Sequence, residues 1–280
     1  RTLVSTSHEI ELKPSVWKIY ETKAFKELIS NYNEVTNVVM TYVEKAMEDL
    51  KSKPETDGHE ESILEKLLKI NKKVAIVMCA DAMMAGVDTT STGVIGVLYC
   101  LAKNQEKQEK LREELRRILP NKDDELTTDK MKSMPYLRAV IKEGFRLYPP
   151  TIGTARQTNE DLILSGYRVP KGTEVAMNMM MIQRNEEYFP QSQKFIPERW
   201  LKGNTECPHA KDGHPFAYLP FGFGARMCVG RRLAELEIEI LLTRLIRDYK
   251  VEWNYPDMKI KSLLVNLPDG DLKFKMTEVF

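Results

Sequence analysis

FGFGARMCVG, residues 221–230, sets three glycines, one arginine and one cysteine within ten positions. A cysteine thiolate is a strong donor to a metal, and its pKa falls at a helix N-terminus or beside cations. The apolar spacing after Gly230 predicts a helix over 230–249. Cys228 therefore stands two residues ahead of that helix, where the dipole favours an anion. Gly222 and Gly224 free the backbone to fold tightly beneath the sulfur. Amide N–H groups can then point at the sulfur and tune a bound metal. Gly230 lets the helix lie flat against a planar ligand, and Arg226 can pair with a carboxylate on it. The competing reading is a buried cysteine in a glycine-rich turn.

Composition bounds what surrounds this loop. The chain has 280 residues, enough for one large domain or two small ones. Apolar residues make up 42 %, ample for a core. Lys and Arg number 42 against 41 acids, so the basic excess of a nucleic-acid binder is missing. The cysteines, at 79, 100, 207 and 228, form no CxxC pair and are too sparse for a disulfide framework. A reducing compartment fits. The chain begins at Arg1, which points to a missing N-terminal part, and no signal or transit peptide is visible in it.

Helical periodicity dominates residues 1–150, with helices predicted over 23–53, 60–70, 74–102, 104–119 and 136–147. The third is apolar nearly all round, which marks a buried central helix. Asp81 and Asp88 interrupt it, so a core helix is expected and not a membrane span, which needs ~18 apolar residues. Asn104 is placed to cap the fourth, whose alternating charges read as a solvated face. The fifth stops at Pro149-Pro150. Residues 151–280 change texture: short extended runs to Met177, a Gly- and Pro-rich stretch from 190 to 224, the final helix, and a hairpin over 263–274 turning at Pro268-Asp269-Gly270. The expected fold is mainly α with a minor β portion.

Phe221-x-x-Gly224-x-Arg226-x-Cys228-x-Gly230 resembles the haem-binding loop of the cytochrome P-450 monooxygenases. Glu143-Gly144-Phe145-Arg146 is similar to the family's Glu-x-x-Arg, and Pro197-Glu198-Arg199-Trp200 to its Pro-Glu-Arg turn. The i, i+3 spacing puts Glu143 and Arg146 on one helix face. The resemblance implies a structural triad of Glu143, Arg146 and Arg199. Ala85-Gly86-Val87-Asp88-Thr89-Thr90 resembles the oxygen-binding bend of the central helix. An acid and an alcohol in a buried helix cost free energy unless partnered. By resemblance, Thr89 hydrogen-bonds dioxygen and Asp88 helps relay protons. The implied cofactor is haem b, with Cys228 thiolate as the iron ligand. Phe221, Gly222, Gly224 and Gly230 would cradle it, and Arg226 and Arg156 would meet its propionates.

The resemblance covers essentially the whole chain but only the later part of the family's fold, as one haem-thiolate monooxygenase domain, residues 1–280. It implies insertion of one atom of O2 into an apolar small-molecule substrate. Ala82, Met83, Ala85, Ile152, Thr154 and Val265 would line the substrate pocket. Ala-Glu-Leu-Glu after Arg231-Arg232 is similar to the mitochondrial branch, and longer stretches look most like insect family twelve. That branch implies an adrenodoxin-like ferredoxin donor docking on Arg138, Lys142, Arg231 and Arg232. It also implies a matrix-side location, peripheral association with the inner mitochondrial membrane, and xenobiotic metabolism. Gly144-Phe145 departs from the commoner Thr-Leu, Ala225 from proline and His214 from asparagine. Two alternatives are a haem-binding sensor without catalysis and an inactive fragment of a monooxygenase. A zinc site at Cys207, His209 and His214 offers only three ligands at irregular spacing.

Overall fold

The computed structural model describes residues 6–10, 16–52, 61–203, 207, 209–210 and 213–280. The polar stretch 53–58 that should end the first predicted helix lies outside them. The chain divides into two compact units, residues 1–88 and 89–280, which are described separately.

In the first unit, Lys23–Ser52 and Ile63–Ile70 are helices, as is the start of Lys72–Lys103. Val39, Val43 and Ala80 form a small core, with Leu64, Leu68 and Ile76 packed against it. Ser62 starts the second helix with a capping box. Its hydroxyl accepts from the Glu65 N–H at 3.2 Å, and its own N–H donates to the Glu65 carboxylate. Trp17 stacks on Phe25 with centroids 5.2 Å apart.

The second unit holds the main core. Helices Gln105–Ile118, Pro135–Leu147 and Arg231–Asp248 pack with the C-terminal half of Lys72–Lys103. Leu101, Leu111, Leu137, Val140, Leu242 and Ile246 are fully buried between them. Pro135 starts its helix at a position where the missing N–H costs nothing. Glycines set the spacing of this core. A Cβ on Gly144 would lie 2.6 Å from Val97 Cγ2, and one on Gly96 2.7 Å from Tyr148 Cβ. The central helix and the Glu143 helix meet almost backbone to backbone.

Among the described residues the β portion is four two-stranded antiparallel sheets. β1 (Gly153–Gln157) pairs with β4 (Glu174–Asn178), and β2 (Leu162–Leu164) with β3 (Tyr167–Val169). β5 (Tyr249–Glu252) pairs with β8 (Lys275–Glu278), and β6 (Lys259–Ser262) with β7 (Asn266–Asp269).

Three expectations are corrected, and one element is new. The central helix is not buried throughout: Val74, Val77, Met83 and Val87 are exposed. By length and composition it is apolar enough to cross a membrane. An all-round apolar helix reports the neighbours it is built to meet, and here they enclose only its C-terminal half. Asn104 occupies the N-cap position without capping; its Nδ2 donates back to Cys100 O at 2.7 Å. The last hairpin turns at Leu263-Leu264-Val265, because Pro268 is already paired with Ile260 in the ladder. A short helix, Met179–Gln183, follows β4, capped by Asn178 Oδ1 on the Met181 N–H at 3.1 Å.

Candidate functional site

The 221–230 loop is shaped by two left-handed glycines, Gly222 at φ 74° and Gly224 at φ 76°. Either would strain any other residue. Gly224–Arg226 forms one 3-10 turn, and the Cys228 N–H donates to Phe221 O at 2.8 Å, closing the loop. No hydrogen bond to Cys228 Sγ forms among the described residues. Of the four cysteines only Cys228 is exposed. Cys100 is buried, and burial pushes its thiol up, away from the thiolate. Gly230 is the N-cap of the final helix, where a Cβ would stand 4.0 Å from Cys228 Sγ. A side chain there would touch the sulfur only at ordinary van der Waals distance.

Cys228 borders a cavity of about 510 Å³. Phe221, Gly222, Arg226, Arg156, Thr154 and Thr89 share its wall. The rest is mostly apolar, including Phe145, Met177, Met179 and Phe216. Arg156 is held along its strand, donating to Thr154 Oγ1 at 2.6 Å and Ala155 O at 2.7 Å. Gly224 and Gly230 shape the loop without bordering the cavity. Ile152 and Val265 do not border it either; Val265 is buried in the turn between β6 and β7. Ala82, Met83, Ala85 and Asp88 belong to the first unit, where the first three are exposed and Asp88 is half-buried. Thr89 is half-buried too, so the acid and alcohol are not in a fully buried helix. Sequence reasoning missed Gln183. It is fully buried on the cavity wall, and neither side-chain amide atom has a hydrogen-bond partner. It ends a five-residue helix with no distinctive pattern, so no sequence signal marks it.

Behind this wall the predicted triad assembles. Glu143, Arg146 and Arg199 are fully buried. Glu143 Oε1 accepts from Arg146 Nη2 at 2.8 Å, Arg199 Nε at 3.0 Å and Ile196 N at 3.0 Å. Its Oε2 accepts from Arg146 Nε and Trp200 Nε1, both at 2.9 Å. Arg146 spends its other N–H groups on the carbonyls of Gln183, Ser192 and Lys194. Two guanidiniums around one carboxylate leave a buried positive excess, which these carbonyls and the Phe189 ring, 5.4 Å from Arg146, help disperse.

Comparison with known proteins bears on this arrangement directly. The sequence profile of the cytochrome P-450 family matches residues 2–275. This chain belongs to the cytochrome P-450 family. It is 49 % identical to cytochrome P-450 CYP12A2 of Musca domestica over 98 % of this chain and 53 % of that protein. It is 47 % identical to the probable mitochondrial cytochrome P-450 12b2 of Drosophila melanogaster, covering all of this chain and 53 % of the relative. The chain thus spans about half the length of the curated relatives it matches. The solved structure of a retinoic acid-bound cyanobacterial CYP120A1 superposes with a TM-score of 0.80. It covers 99 % of this chain and 62 % of that one at 23 % identity, and shows the P-450 fold.

The family's cofactor is haem on a cysteine thiolate, and the cavity fits it. It offers one exposed thiol, Cys228, and two guanidiniums, Arg156 and Arg226, for carboxylates on a largely apolar wall. Cys207, His209 and His214 form no metal-holding group among the described residues. The four cations assigned to a P-450 redox partner differ in availability. Arg138 is committed, with Nε on Glu239 at 3.2 Å and Nη2 on Met131 O at 2.7 Å. Lys142 is exposed, its Nζ 5.8 Å from the Trp200 ring centre. Arg231 pairs with Glu235 at 3.0 Å and lies over Phe221. Arg232 is exposed.

Proposed function

We propose that this chain forms the haem-binding and oxygen-activating portion of a monooxygenase that inserts one atom of O2 into an apolar substrate. The observation that carries the reading is the single exposed thiol, Cys228, on a glycine-shaped loop in the wall of a largely apolar cavity, with Arg156, Arg226 and Thr89 on the same wall. Cys228 Sγ would hold the haem iron, and Arg226 and Arg156 would meet the propionates. Bound haem supplies the oxygen chemistry, with the thiolate favouring O–O cleavage. Thr89 Oγ1 can accept and donate one hydrogen bond at the cavity wall. With Asp88 preceding it on the helix, it would hold a proton ready for delivery. Phe145, Met177, Met179 and Phe216 exclude water and favour an apolar substrate.

Electrons would come singly from a ferredoxin, and the protein would work in mitochondria. Relatives carrying that word in their names support this. Oxidation of foreign compounds is the role this reading favours. The test uses the haem-loaded full-length protein. Cys228→His should lose the thiolate-type carbon monoxide spectrum while Cys100→Ser keeps it. Retention of that spectrum by Cys228→His would falsify the ligand assignment.

A further inference from the structure

We propose that Phe145 is a positioning residue that joins the central helix, on the Thr89 side of the cavity, to the Cys228 loop, so that a displacement of one is felt at the other. The inference rests on the haem-thiolate reading above and gives a role to a side chain which that reading leaves as apolar wall.

The first contact is with the central helix. Gly93 is buried, and a Cβ on it would lie 2.9 Å from both Cε1 and Cζ of Phe145. The ring therefore occupies the space that a side chain at 93 would need. A glycine inside a helix costs stability relative to alanine, and this close approach is the packing reason for it. Gly93 follows Thr89 by four residues, which places the two on one helix face. The ring thus bears on the helix one turn beyond Thr89.

The second contact is with the ligand loop. The rings of Phe145 and Phe221 are 5.9 Å apart, centre to centre, and tilted by 51°, within the ~4.5–7 Å at which ring pairs attract. Phe221 O in turn accepts from the Cys228 N–H at 2.8 Å. Arg231 lies over the same Phe221 ring at 5.5 Å.

Phe145 has little freedom to absorb a displacement. It is 3 % exposed, so the ring cannot swing into water. Glu143 and Arg146, on either side of it in the helix, are locked together in the buried ion pair. A close-packed interior transmits strain. A shift of the ring therefore reaches Phe221, and through its carbonyl the backbone of Cys228. Contacts behind a metal ligand orient it and tune the metal.

Carbon monoxide binding to the reduced, haem-loaded full-length protein tests this, read as the absorption band and as Kd. Phe145→Leu slackens the link, and Gly93→Ala drives the ring from its place. Each should move the band and the Kd. In Gly93→Ala/Phe145→Leu the added methyl fills room that leucine leaves, and both readings should return towards wild type. The two effects on Kd should then depart from simple multiplication by about twofold or more, the lower end for residues in contact. A ring that only fills space would lower the melting temperature and leave band and Kd unmoved in both single variants; that result overturns the inference. Shifts in the double variant that are the plain product of the single ones overturn it too. If Gly93→Ala loads no haem, Phe145→Leu should restore loading, and failure to restore it counts against the contact. A wild type without the thiolate-type spectrum instead removes the ligand assignment, and this inference with it.

Discussion

Glu143 gathers five hydrogen bonds on two oxygens, from two guanidiniums, an indole and a backbone amide. Glu143→Ala strands two buried cations, at a typical cost of ~3–5 kcal/mol. The expected outcome is little haem-loaded protein and a lower melting temperature; normal values for both would remove the triad from the fold's support. Neighbouring Glu198 gives a pH signature. Burial pushes its carboxyl up, but hydrogen bonds from Lys110 and Tyr136 and the Lys107 charge leave it below the ordinary range. A depressed folded value stabilises above the unfolded pKa, and the gain is lost as pH falls through the folded one. Glu198→Gln should therefore lower the melting temperature at pH 7, with the gap closing below about pH 4. A gap independent of pH would assign the effect to packing. Cys228 and the triad were legible because their chemistry demands particular residue types at fixed spacing. Gln183 was not, since its importance comes from burial beside a cavity that sequence does not display. Ile152 and Val265 do not border the Cys228 cavity, because which residues line a cavity depends on side-chain direction, which motif spacing does not carry.

Between elements, the glycine seam explains why Gly144 replaces the commoner threonine. Val97 Cα would lie 3.1 Å from a Gly144 Cβ, so even rotamer change in Val97 cannot clear the space. Gly144→Ala should destabilise by about 1–3 kcal/mol through overpacking, measured by denaturant unfolding. Val97→Ala should recover part of that loss, and strict additivity of the two would place the helices farther apart. The helix starts and stops were readable from periodicity, prolines and glycines. The last hairpin was misplaced because Pro268-Asp269-Gly270 has turn composition, whereas tertiary anchoring of Asn266 on Pro149 and Pro150 sets the register. Gly270, at φ 97°, instead ends the strand.

For the whole molecule, charge-steered electron delivery is the testable consequence of the proposed ferredoxin donor. Lys142 and Arg232 are exposed, while Arg138 holds Glu239 and a backbone carbonyl. Arg138→Glu would set two carboxylates together and perturb the helix pair, so Lys142→Glu with Arg232→Glu is the cleaner variant. It should cut ferredoxin-supported turnover and its salt sensitivity while peroxide-driven turnover survives, because exposed charges act mainly on association and are screened beyond ~8 Å. Equal loss in both assays would point to damaged haem packing. The central helix carries a further consequence for the whole chain. Its N-terminal half has exposed Val77, Met83 and Val87, whereas the half beyond Gly93 is pressed against Phe145 and Tyr148. Amide protons in the first half can exchange with heavy water through local opening, but those of 94–101 wait for their unit to come apart. Facing amides at 140–146 should wait for the same event and exchange at the same slow rate. One uninterrupted helix thus carries two clocks, and the change of rate falls at Gly93, the first of its glycines pressed against a neighbour.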